Sequence, residues 1–196
     1  MSDQSRDASP RPGLRDSARQ ALAELDGVFA TIRPETADAL IAELLRAGRI
    51  ACAGAGREGL MIRAFCMRLM HLGLDAHMTG DVTTPTVGPG DLFIATVGTG
   101  RLPTIEALLA VARAAGARIA VITAQPDGPA PRMADTVIHV PAQTMADDRD
   151  GTGSILPMGT LFEIAELIFF DLVALTLRDR TNQSSDDVRA RHTNLE

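Results

Sequence analysis

Short, wholly apolar runs alternate with amphipathic stretches from residue 49 onward, and this alternation constrains the fold more than any other feature. Runs of this kind are typical of parallel strands that are buried on both faces, and they span residues 49–53, 74–78, 91–97, 118–123 and 136–140. Helical patterns span residues 17–29, 34–48, 60–72, 103–115 and 158–178, and proline or glycine marks ends of the middle three. The pattern predicts an α/β fold in a single domain, with a doubly wound five-stranded parallel sheet flanked by helices.

The ends of the chain and one long loop carry weaker patterns. We expect residues 1–13 to be a disordered lead-in and residues 14–196 to form the domain. Residues 141–157 are polar, and a loop of that length is usually a lid or a binding loop. The helix at 158–178 is apolar most of the way round, which predicts a subunit interface. Residues 184–196 form a short polar tail.

Composition removes several classes of function. All 19 basic residues are arginine, so a Schiff-base lysine and the P-loop lysine are excluded. A net charge of −6 and an aromatic content of 3% argue against a nucleic-acid partner. No apolar run is long enough to span a membrane, and the polar start does not resemble a signal peptide. Cys52 and Cys66 read as small core residues, so we expect a cytoplasmic protein without a metal site.

Two glycine-rich turns follow the first and third predicted strands, at 54–59 and 98–100. Each precedes a helix, so backbone N–H groups and the positive helix end should form an anion site at the carboxyl edge of the sheet. Phosphate is the anion that such turns most often hold. Gly54, Gly56 and Gly59 also match G-x-G-x-x-G, with Asp81 after the second strand, which leaves nicotinamide-dinucleotide binding as an alternative.

Three segments carry a family resemblance, and they read CAGAGREGLMIRAFCMRLMHLGLDAHMTGDVTTPTVGPGDLFIATVGTG, PMGTLFEIAELIFFDLVA and RHTNLE. They resemble the sugar isomerase (SIS) domain family and, within it, the 6-phospho-3-hexuloisomerases. The resemblance covers roughly residues 17–196. It implies a five-stranded parallel sheet, a homotetramer, and interconversion of arabino-3-hexulose 6-phosphate and fructose 6-phosphate without metal or cofactor.

The resemblance also implies roles for particular residues. Glu163 would be the catalytic base that moves a proton between C2 and C3 through an enediol. His192 would be its acid–base partner, supplied across a subunit boundary. The sugar phosphate would be bound by the two turns, through Gly54, Gly56, Arg57, Glu58, Gly98, Thr99, Gly100 and Arg101. From the residues alone, the favoured interpretations are a solvated helix face for Glu163 and a disordered tail for His192. Glu166, one turn beyond Glu163, could tune it or face solvent, and we expect solvent.

The turns depart from the family pattern. The second usually reads SGSGET but here reads VGTGRL at 97–102, and the first reads GAGREG instead of GAGRSG, which places Glu58 where the family has serine. Arg101 could replace the lost hydroxyls with a bidentate fork, with Glu58 paired to Arg101 or Arg57. Alternatively, the chain is an isomerase of a different small anionic sugar, or a non-catalytic sugar-phosphate-binding module. Such modules normally carry a helix-turn-helix, for which residues 1–16 are too short.

Overall fold

The computed structural model describes residues 13–148 and 153–195 of the 196-residue chain. Its elements in chain order are α1 Leu14–Thr31, α2 Pro34–Arg46, β1 Ile50–Ala53, α3 Gly56–His71, β2 Ala76–Met78, β3 Leu92–Thr96, α4 Pro103–Ala114, β4 Arg118–Thr123, a 3₁₀ turn Pro131–Met133, β5 Thr136–His139, α5 Thr160–Arg180 and α6 Ser185–Ala190. The expected lead-in at 1–13 lies outside the described residues apart from Gly13, and so does the middle of the loop at 141–157.

The five predicted strands form one parallel sheet, as expected, in the order β2-β1-β3-β4-β5. From β1, the chain adds β2 on one side and β3 on the other. The strand order therefore reverses between β1 and β3, and their carboxyl ends flank the crevice where open α/β sheets bind ligands. Both glycine-rich turns begin there, after Ala53 and after Thr96.

Helices cover both faces of the sheet, and alternate strand residues point to opposite faces. On one face Cys52, Ile94 and Ile122 pack in a cluster with residues of α1, α2, α3 and α5. On the other face Phe93 and Val121 pack with residues of α4. This explains why the strands read as continuous apolar runs, and it confirms the doubly wound architecture. Among the described residues, no helix is long and apolar enough to cross a membrane.

Some predicted boundaries and exposures were wrong. Helix α3 begins at Gly56, not at residue 60, because Gly56 adopts a φ of +58° that lets the turn pass straight into the helix. The polar tail contains α6, which Ser184 and Asp187 stabilise with a capping box. Leu22, which the helical pattern predicts to be buried, is exposed on α1. Cys52 and Cys66 are buried free thiols, as predicted.

Candidate active site

A cleft of about 430 Å³ lies at the carboxyl edge of the sheet, beside the reversal of strand order. The first turn of α3, the turn after β3 and the first turn of α5 surround it. The residues lining it include Arg57, Glu58, Thr99, Met158, Thr160 and Glu163. Its volume suits a small metabolite. The two turns and the helix that sequence reasoning had singled out are therefore brought together around one cavity.

Glu163 and Arg57 form an ion pair at the wall of this cleft. Arg57 Nη1 donates to Glu163 Oε2 at 2.7 Å and to Thr160 Oγ1 at 2.8 Å. Thr160 and Glu163 are three residues apart on α5, so one face of the helix presents both to the arginine. The Glu163 side chain is 15% exposed, and its second oxygen, Oε1, accepts no hydrogen bond from the described residues. A carboxylate held by one oxygen and open at the other is suited to accept a proton from a bound molecule.

Glu58 interacts with the turn after β3 instead of with an arginine. Its Oε2 accepts the Gly98 N–H at 2.8 Å and the Thr96 hydroxyl at 3.2 Å. The expectation that Glu58 pairs with Arg101 or Arg57 is wrong. Arg57 pairs with Glu163 instead, and the Glu58 carboxylate accepts from the Gly98 N–H group. Burial raises the pKa of Glu58, and the hydrogen bonds from Gly98 and Thr96 oppose part of that rise.

Glu166 is buried, and the expectation that it faces solvent is wrong. Its exposure is 0%, and neither carboxylate oxygen has a hydrogen-bond partner among the described residues. The side chain points from α5 toward the sheet and lies near the Thr96 hydroxyl, which donates to Glu58. Burial raises the pKa of Glu166 well above its usual range, and the charges of Glu58 and Glu163 raise it further, although Thr96 lowers it in part.

The turn after β3 is tightly packed on one side and open on the other. A Cβ at Gly98 would lie 2.8 Å from the Phe162 ring and from Glu58 Oε1, so only glycine fits there. Gly100 adopts a φ of +71°. Thr99 Oγ1 donates to the Arg101 carbonyl at 3.0 Å, and the exposed Arg101 makes no ion pair within the described chain.

The first glycine turn is packed just as closely. A Cβ at Gly54 would lie 2.6 Å from the Thr96 side chain, so Gly54 lets the start of α3 approach β3. Gly56 adopts a positive φ, and this conformation leads the chain into α3. Thr96 donates to the Glu58 carboxylate and Thr160 accepts from Arg57, yet sequence reasoning had selected neither threonine. The position of Thr160 three residues before Glu163 is a signal that could have found it.

His192 lies far from Glu163 within one chain. Its ring stacks on His71 with ring centroids 5.1 Å apart, and the neighbouring Arg191 donates to the His71 carbonyl at 3.0 Å. His71 is the last residue of α3, whereas Arg57 lies in its first turn, and the 14 positions that separate them correspond to about 21 Å along the helix. The structure therefore does not bring the two expected catalytic residues together in one subunit.

The dinucleotide alternative finds no support at Asp81. Its carboxylate pairs with Arg63 at 3.3 Å, on the outer side of α3. A ribose-binding acid would instead need to face the glycine turn. The described residues contain no group of three or more histidine, cysteine, aspartate or glutamate side chains that could hold a metal ion.

Comparison with known proteins agrees with this geometry. The SIS domain family model matches residues 43–165. This chain belongs to the SIS domain family. Among its relatives, the 3-hexulose-6-phosphate isomerase of Bacillus subtilis is 36% identical over 177 residues, which cover 90% of this chain and 96% of the relative. The 3-hexulose-6-phosphate isomerase of Mycobacterium gastri is 37% identical over 88% of this chain and 86% of its own length.

Solved structures share the fold along almost the whole chain. A Methanococcus jannaschii protein, for which a function as 3-hexulose-6-phosphate isomerase has been inferred, superposes with a TM-score of 0.80 and 31% identity. The match covers 92% of this chain and 99% of that one. A Bacteroides fragilis protein, for which a role as a phosphosugar isomerase involved in capsule formation has been proposed, superposes with a TM-score of 0.76 at 16% identity, which shows the common fold alone.

Proposed function

We propose that this chain interconverts arabino-3-hexulose 6-phosphate and fructose 6-phosphate. The observation that carries the proposal is Glu163, a mostly buried carboxylate at the wall of the cleft whose Oε1 accepts no hydrogen bond from the described residues. The chain is a sugar-phosphate isomerase, because relatives named 3-hexulose-6-phosphate isomerase match most of its length at 34–38% identity. The particular hexulose is the part that this proposal adds.

The reaction needs a base and a means of moving protons between two oxygens. Glu163 removes the proton from C2 of the 3-hexulose, which leaves an enediolate across C2 and C3. The Glu163 carboxyl exchanges its proton with water and delivers a proton to C3 while O3 gains a proton and O2 loses one, so the carbonyl now lies at C2. Arg57 keeps the carboxylate oriented through Oε2, and Oε1 faces the substrate.

His192 is proposed to carry the proton between O2 and O3 from a neighbouring subunit. Its place at the far end of α3 makes a role at Glu163 of the same chain impossible without unfolding the tail. Exposed apolar side chains on α5 support an assembly that covers them: Ile168, Leu172 and Leu175 are 36–47% exposed. We propose a homotetramer in which the tail of one subunit reaches the cleft of another.

Glu58 favours a second candidate, an isomerase of a different small anionic sugar. Its carboxylate takes the Gly98 N–H that a phosphate would otherwise accept, and like charges repel. This candidate predicts turnover of a related acidic ketose and none of the hexulose phosphate.

The proposal is tested by supplying arabino-3-hexulose 6-phosphate to the purified chain and measuring fructose 6-phosphate. We expect turnover in the wild type and a loss of about 10²- to 10⁴-fold in Glu163→Gln, the usual contribution of a positioned base. Asp179→Asn is the matched control, because it removes one carboxylate from the other end of α5, about 24 Å away. No turnover of this substrate by the wild type would refute the proposal and favour the second candidate.

A further inference from the structure

The Glu58 carboxylate occupies the inner part of the turn that follows β3. Oε2 accepts the Gly98 N–H at 2.8 Å and the Thr96 hydroxyl at 3.2 Å. Oε1 lies so close to Gly98 that a Cβ there would be 2.8 Å from it. This is the position in which the N–H groups of a glycine turn hold an anion, and here the anion is part of the protein.

Some backbone N–H groups of the turn already donate to an acceptor within the protein, and others remain open to a ligand. Gly98 donates to Glu58, Gly100 donates to the Val97 carbonyl at 2.9 Å, and Leu102 donates to Glu106 Oε1 at 3.0 Å. The N–H groups of Thr99 and Arg101 donate to no acceptor in the described part of the chain. The open donors are therefore the N–H groups of Thr99, which lines the cleft, and of the exposed Arg101.

We propose that Glu58 determines the anion specificity of this turn. Its carboxylate competes with the substrate for the Gly98 N–H group, and a phosphate group is therefore confined to Thr99 and Arg101. The inference rests on the proposed function, because it concerns how the same cleft takes its sugar phosphate. Loss of the Glu58 charge removes the repulsion that an anion meets at this turn, so an anion then binds to the turn more tightly.

The charges around Glu58 strengthen the competition. From α5, the carboxyls of Glu163 and Glu166 face it, and from its own helix the cation is Arg57, which is committed to Glu163. The Thr96 hydroxyl and the Gly98 amide are the neutral donors that approach it from the sheet. An anion entering the inner turn therefore meets negative charge, and Arg57 is already paired with Glu163.

Glu58 competes only while it is ionised, so anion binding should depend on pH. Burial raises the pKa of Glu58 above that of an ordinary glutamate. Below that pKa the side chain is neutral, and its repulsion of an entering anion disappears. The affinity for an anion should thus be greatest in acid and fall as the pH rises through the pKa of Glu58.

The experiment measures inorganic sulfate binding by calorimetry between about pH 5 and pH 8. Sulfate keeps its charge over this range, whereas a phosphate ester titrates at about pH 6. At pH 8 we expect Glu58→Gln and Glu58→Ser to bind sulfate about tenfold more tightly than the wild type, which corresponds to about 1.4 kcal/mol. Glutamine preserves the shape of Glu58, so it remains informative where serine fails to fold. Asp179→Asn, the distant charge control, should bind sulfate as the wild type does.

The pH profile separates specificity from a merely structural role. The wild type should lose sulfate affinity as the pH rises, and Glu58→Gln should lose much less, since Glu163 and Glu166 are common to both proteins. Equal or weaker binding by both Glu58 variants at pH 8 would overturn the inference. Its failure is distinct from that of the proposed function, because sulfate binding requires no turnover. Tighter binding in variants of a chain that does not isomerise the hexulose would leave the inference standing and refute the substrate.

Discussion

Glu166 is the residue whose replacement should stabilise the protein most clearly. It is fully buried in α5, and neither of its oxygens has a hydrogen-bond partner among the described residues. A buried polar group left unsatisfied costs about 1–3 kcal/mol, and a charged one costs more. Replacement by leucine removes the carboxyl and keeps a side chain of similar length in an apolar setting. We therefore expect Glu166→Leu to raise the free energy of unfolding at pH 8 by about 2 kcal/mol.

The pH dependence of this gain follows from the direction of the pKa shift. Burial raises the pKa of Glu166 in the folded state well above its unfolded value of about 4.3. Below the unfolded pKa the group is protonated in both states, so its ionisation costs nothing. As the pH rises toward the folded pKa, the wild type loses stability, by up to about 1.4 kcal/mol per pH unit. The advantage of Glu166→Leu should thus be smallest near pH 4.5, where only the unsatisfied neutral carboxyl is removed, and grow toward pH 8.

Urea unfolding followed by circular dichroism measures this gain, because the chain has neither tryptophan nor tyrosine for a fluorescence assay. Both proteins are compared at one protomer concentration, since assembly would add to stability. The pKa of Glu58 is also raised, and the Glu58 and Glu166 charges repel each other. Removal of Glu166 relieves this repulsion, which favours the variant further as the pH rises. A variant less stable than the wild type at pH 8, or a gain equal at both ends of the pH range, would refute the reasoning.

Three further predictions concern the cleft and the tail. Arg57→Ala frees the Glu163 carboxylate from its ion pair, so kcat should fall about tenfold or more while circular dichroism stays unchanged; an unaltered kcat would contradict a positioning role. Gly98→Ala places a Cβ 2.8 Å from the Phe162 ring, and thermal unfolding should show a loss of about 1–3 kcal/mol; a neutral effect would mean that the turn is more open. The His192→Ala and Glu163→Gln variants should each be inactive alone. If the tail acts between subunits, refolding the two variants together should restore activity, and no recovery would count against that arrangement.

The fold could be predicted because its signals are local and repeated. Strands buried on both faces read as apolar runs, and glycine or proline marks the ends of helices such as α4, so the sheet followed from the sequence. The start of α3 was placed four residues late, because G-x-G-x-x-G reads as a loop until Gly56 is known to adopt a positive φ. Helix α6 is only six residues long, and its capping box was overlooked in a polar segment.

The partners of the site residues depend on packing between distant segments, and the sequence does not report that. Glu58 and Gly98 are 40 residues apart, and their contact exists because β1 and β3 are neighbours in the sheet. Glu166 lies on a helix that is apolar most of the way round, so the pattern could not say which face meets the sheet. Glu163 was found through the family resemblance, and its pairing with Arg57 became visible only when α3 and α5 were placed side by side.

The central claim, that Glu163 is the base of an enediol reaction on a sugar phosphate, is tested most directly by proton exchange. Fructose 6-phosphate is incubated with the chain in deuterated water and followed by NMR. The account predicts that deuterium enters at C3, beside the C2 carbonyl, and that Glu163→Gln abolishes this exchange while Asp179→Asn does not. No deuterium at C3 with the wild type, or undiminished exchange in Glu163→Gln, would contradict it.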